Sequence, residues 1–74
     1  MRLTKCRVER LRQGMSSAAE LATATGIPRG RFWNWESAQS HRYLSKDEVA
    51  RVADALGVTP ETIADDRGAP ILFE

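Results

Sequence analysis

The sequence predicts an all-α fold, five short helices followed by a short extended C-terminal tail. Three observations support this. Apolar residues recur at three- and four-residue intervals along most of the chain, and no strand-like alternation occurs before residue 69. Ser17, Ser45 and Thr59, residue types that open helices, stand directly ahead of these runs, and Gly14, Gly26 and Gly57 close them. Pro28 and Pro60 stand where a first helical turn tolerates a missing N–H.

The elements follow in order. In "RLTKCRVERLRQ", Leu3, Val8 and Leu11 have spacings compatible with an inward stripe, which makes this segment helix one. "SSAAELATATG" reads as a capping box, Ser17 with Glu20, that opens a short helix two at about residues 18–25. Its inner side is Leu21, Ala22 and Thr25, and Gly26 stops it. Helix three runs from about residue 28 to 37, and "SAQSHRY" lacks periodicity and reads as loop. Ser45 and Glu48 form a second capping box ahead of a helix whose buried stripe is Val49, Val52, Ala53 and Leu56. Thr59 caps helix five, Pro60 lies in its first turn, and Ile63 turns inward. "RGAPILFE" is extended by composition. Residues 1–68 are thus expected to form one domain and residues 69–74 an apolar tail.

Size narrows the functions available. A chain of 74 residues buries only about 60–65% of the surface its unfolded form exposes, which leaves little material for a deep substrate pocket. No apolar run approaches the about 18 residues needed to span a membrane, and "MRLTKCRVER" lacks the apolar centre of a signal peptide. The single cysteine, Cys6, allows no internal disulfide, so a reducing cytoplasm is the expected setting and a packed or half-exposed thiol the expected role. His41 has no second soft ligand nearby, no carboxylate pair faces a base, and no glycine-rich loop follows a strand. No enzymatic activity, metal or cofactor is expected. Charge is more informative. Residues 1–46 carry nine Lys/Arg against three acids, a balance of +6, while residues 47–74 carry two against seven, a balance of −5. A basic front and an acidic back orient a molecule toward a polyanion.

The segment "GIPRGRFWNWE" separates cleanly on a helix. Phe32 and Trp35 share a face with Pro28, and that face is core. Gly30, Trp33, Asn34 and Ser37 fall opposite, flanked by Arg29 and Arg31. Arginine pairs in bidentate fashion with guanine and asparagine with adenine, and both also reach phosphates. A capped helix two, a turn at Gly26 and a second helix two residues later make a helix-turn-helix, whose second helix enters the major groove while the first crosses the backbone.

Residues from about Val8 to Asp65 resemble the phage repressor and Cro-like helix-turn-helix family, also called the xenobiotic-response-element type. The matching residues are Leu11-Arg12, Glu20-Leu21-Ala22, Gly26-Ile27, Phe32, Trp35-Glu36 and "VARVADALGVTPETI". The resemblance implies a five-helix lambda-repressor-like domain, sequence-specific binding to double-stranded DNA and homodimerisation on an inverted-repeat operator. It places Arg29, Gly30, Arg31 and Asn34 at base- or backbone-facing positions. Three departures stand out. Ala18 replaces the glutamine that often opens helix two, which shifts phosphate anchoring to Ser17, the helix-two amides and Arg12. Ala38 replaces the usual glycine after Glu36, so the chain is expected to leave helix three differently. Trp33 replaces a small residue; it faces thymine methyls and sugars, the neighbouring loop, or a second subunit. In the loop, His41 and Arg42 are candidates for the phosphate backbone. The DNA-contact set is therefore Ser17, Ala18, Pro28, Arg29, Gly30, Arg31, Trp33, Asn34, His41 and Arg42.

The leading function is a transcriptional repressor of phage, plasmid or bacterial origin. An antitoxin of the same fold would also bind a toxin protein, through the acidic rear and the tail. A protein-interaction module without DNA binding is the reading from another class. An excisionase-like module would need a wing strand where "LSKDEVARVADALGV" reads as helix. The tail residues Ile71, Leu72 and Phe73 have two possible burials, against helices one and five of the same chain or across a two-fold axis, and the second is favoured.

Overall fold

The computed structural model describes residues 3–39 and 43–73. Five helices follow in order: α1 (Lys5–Arg12), α2 (Ala18–Thr25), α3 (Arg29–Glu36), α4 (Lys46–Leu56) and α5 (Pro60–Ile63). α2 packs on α3 and α4, α4 packs on α5, and α1 closes the other side against α5 and α2. Phe32, Trp35, Leu21, Leu56, Ile63 and Val52 form the fully buried centre. Deleting an aromatic side chain from such a core costs roughly 3–5 kcal/mol. Among the described residues no helix is long and apolar enough to cross a membrane.

α2 and α4 form as their patterns predict. Leu21, Ala22 and Thr25 are buried on α2, and Val49, Val52, Ala53 and Leu56 on α4. At the start of α4 both bonds of the capping box are present, with Glu48 N donating to Ser45 Oγ and Ser45 N to Glu48 Oε1. At α2 only half of the expected device forms. Ser17 Oγ accepts from Ala19 N at 3.1 Å, and Glu20 stays exposed. α5 is a single turn, and Thr59 shares its hydroxyl hydrogen bond with Thr62 Oγ1 instead of capping a backbone N–H.

α1 departs from its expected stripe. Leu3 precedes the helix and is exposed, Leu11 is exposed, and Val8 is half-buried. The inward residues are Thr4, Cys6 and Arg10. Arg10 can be buried because its charge is met inside the protein: Nε donates to Glu36 Oε2 (2.8 Å), Nη2 to Glu36 Oε1 (3.1 Å) and Nη1 to the Met15 carbonyl (2.6 Å). Thr4 Oγ1 donates to the Glu36 carbonyl at 2.7 Å. Two assignments on helix three also change. Pro28 is the exposed N-cap of α3 and no part of its buried face, and Ser37 is buried, donating to the Trp33 carbonyl at 2.6 Å.

The exit from α3 is of the kind a glycine makes. Ala38 takes a left-handed φ of 57°, Ala38 N donates to Trp35 O, and Gln39 N donates to Asn34 O. These two bonds are a Schellman closure, formed here with an alanine in the left-handed position. The tail runs back over its own chain. Lys5 N donates to Ile71 O, Phe73 N to Leu3 O and Ile71 N to Ile63 O, and Thr4 and Leu72 form an isolated antiparallel bridge. Of the two burials open to the tail, its backbone takes the one within the chain, while the Leu72 and Phe73 side chains stay exposed. Gly68 makes this turn possible: its φ is +84°, and a Cβ there would lie 2.0 Å from the Leu44 carbonyl oxygen. The indole of Trp35 donates to the Gly68 carbonyl at 2.7 Å and ties the turn ahead of the tail to the core.

Candidate nucleic-acid interface

Gly26 ends α2 with a φ of 75°, Ile27 inserts into the core, and Pro28 opens α3. Phe32 and Trp35, their rings 6.1 Å apart, fix α3 from behind. With that face buried, Arg29, Gly30, Arg31, Trp33 and Asn34 are all exposed.

Four of them border one open groove of about 540 Å³: Arg29, Gly30, Trp33 and Asn34. The opposite wall is the start of α2, Ser16 to Ala19, so the predicted Ser17 and Ala18 meet the α3 residues there. The N-terminus of α2, the positive end of its dipole, opens on this groove and suits an anion. Arg7 of α1 completes the rim, and the buried Arg10–Glu36 pair lies at its base. The groove thus combines two rim arginines, an asparagine, serine hydroxyls and one exposed indole.

Other predicted residues lie elsewhere. Arg31 leaves α3 on the side away from the groove residues and forms an ion pair with Glu48 of α4. Pro28 does not line the groove. Arg12, expected to help anchor phosphate, is exposed, does not line the groove and stands 3.5 Å from Glu9. Besides the buried Arg10, the α1 arginine that lines the groove is Arg7. Sequence spacing contained no signal for it, because its placement depends on how α1 docks on α3. His41 and Arg42 lie outside the described residues.

Charge is held differently at two ionisable side chains nearby, a carboxyl and a thiol. Burial pushes the Glu48 carboxyl up, but hydrogen bonds from Ser45 and Arg31 outweigh it and leave the group below the usual carboxylate range. Burial, then the charge of Glu36, pushes the Cys6 thiol far up, so it stays neutral and inert in the core. A second groove of about 480 Å³ lies between α4, α5 and residues 64–68, with Glu61, Asp65 and Asp66 among its lining residues.

A capped helix, a left-handed glycine turn, and a second helix held by two aromatics with its polar face outward define a helix-turn-helix domain. Residues 2–67 match the Cro/C1-type HTH DNA-binding domain, and the chain belongs to that family. It is a DNA-binding domain of the transcription-regulator type. No curated protein and no solved structure matches the chain.

Proposed function

We propose that this protein is a sequence-specific reader of duplex DNA that represses transcription, as a homodimer on an inverted-repeat operator, in the cytoplasm of a bacterial host. The observation that carries this reading is the single groove in which the α2 N-terminus, Arg7, Arg29 and Asn34 converge. Its donors divide by role. The α2 amides, Ser17 and Arg7 suit phosphates, whereas Arg29 and Asn34 on α3 suit base edges. Exposed apolar side chains of Leu3, Leu72 and Phe73 support the two-subunit arrangement, because monomers seldom leave such groups together in water.

Selection of bound duplexes from a random library tests this directly. An inverted repeat is expected, with half-site centres about 10 base pairs, or 34 Å, apart. Binding is expected to weaken with salt, log K falling by about 0.9 per phosphate neutralised for each unit of log salt. A library that enriches no sequence, or binding indifferent to salt, would overturn the reading.

A further inference from the structure

Two residues on the outward face of α3, Gly30 and Trp33, take no part in the buried core. Gly30 lies inside the helix with ordinary helical backbone, and a Cβ built there meets nothing within 4 Å. Neither backbone conformation nor packing asks for glycine, and glycine weakens a helix relative to alanine. Trp33, three residues on, is 41% exposed, although burying an indole is among the largest gains open to a small core. Both line the same groove, where Ala18 and Ala19 of α2 add further apolar surface. The result is an apolar notch between polar neighbours, Arg29 before it and Asn34 beyond.

The chemistry of the notch selects its occupant. Bases present hydrogen-bonding atoms in the major groove and one apolar group, the C5-methyl of thymine. We propose that Gly30 and Trp33 form a receptor for a thymine methyl group, an inference that rests on the DNA-reading function above. The bare Gly30 Cα lets α3 approach the base edge closely, and the Trp33 indole covers the methyl. The adenine paired with that thymine presents N6 and N7, the pattern an asparagine side chain matches, and Asn34 adjoins Trp33. The notch and Asn34 together read one A·T pair or two neighbouring ones.

The test replaces thymines of the selected operator, one at a time, by deoxyuridine, which removes only the methyl. Affinities are then measured for the native chain, Trp33→Ala and Gly30→Ala. At one thymine per half-site, the native chain is expected to lose about fourfold, the value of one buried methyl. Trp33→Ala is expected to bind thymine and deoxyuridine there equally, at an unchanged melting temperature. Gly30→Ala is expected to melt higher yet bind the operator more weakly, with part of that loss relieved by deoxyuridine. Operator binding without a methyl-sensitive position, or methyl sensitivity that survives in Trp33→Ala, overturns the notch and leaves the DNA reading intact. A library that enriches nothing overturns both.

Discussion

Arg10 and Glu36 form a two-pronged ion pair, 2.8 and 3.1 Å, with side chains only 4% and 2% exposed. It joins α1 to the last residue of the helix that carries the candidate contact residues. A buried pair of this kind repays the loss of hydration only when its geometry is good and its remaining donors are used. Here the third nitrogen of the guanidinium serves the Met15 carbonyl, and the Thr4 hydroxyl holds the Glu36 backbone. The pair therefore sets the docking of α1 and, with it, the position of Arg7 on the groove.

Removing one partner strands the other charge in the core. Arg10→Met and Glu36→Gln are each expected to lose about 3–5 kcal/mol in urea unfolding. The double replacement is expected to lose far less than the sum, and additive losses in this double-mutant cycle would show that the two side chains act independently.

Much of the fold was legible because α2 and α4 follow the simple rule of apolar stripe, polar cap and glycine stop. α1 was not, because its inward residues are a threonine, a cysteine and an arginine. Periodicity counts arginine as surface, and only a partner 26 residues away reverses that. The candidate site divides the same way. Helical arithmetic alone places Gly30, Trp33 and Asn34 on one face. Arg7 joins them through tertiary docking, and the Arg31 pairing depends on Glu48, 17 residues distant.

Arg31 and Glu48 give a prediction about specificity. Glu48 Oε1 accepts Ser45 N while Oε2 accepts Arg31, so one carboxylate both caps α4 and restrains an arginine beside the candidate interface. Glu48→Gln is expected to free Arg31 for phosphates, raising affinity for random DNA and steepening the salt dependence by about 0.9. The same carboxylate, depressed in the folded state, contributes stability above its unfolded pKa of about 4.5 that disappears as pH falls through the lower folded value. Melting temperatures between pH 5 and pH 3 should therefore fall less steeply in the variant than in the native chain.

Ala38 holds a left-handed conformation that glycine adopts freely, within an otherwise complete Schellman closure. Ala38→Gly is expected to stabilise the domain by about 0.5–1 kcal/mol, the relief of Cβ strain less the added freedom of the unfolded chain. Gly68→Ala is expected to do the reverse and much more strongly, since its Cβ would collide with the Leu44 carbonyl. Thermal unfolding of the two variants checks both signs.

The tail bears on assembly. Its backbone is bonded to the start of α1 and to Ile63, so deleting it would damage the fold as well as any interface. Side-chain changes separate the two effects. Leu72 and Phe73 are 39% and 47% exposed and lie beside Leu3, itself 42% exposed, through the Phe73 N to Leu3 O bond. If these groups face a second subunit, Leu72→Asp with Phe73→Asp places four like charges across a two-fold axis and removes the apolar contact. The variant is expected to sediment as a monomer at concentrations where the native chain is a dimer. It should bind a single half-site as before and lose affinity for the inverted repeat, because the two half-sites no longer cooperate. Its melting temperature at low concentration should match the native monomer, since the backbone bonds of the tail are kept. A dimer that survives both charges with full operator affinity would move the interface away from the tail, with α5 the next surface to test.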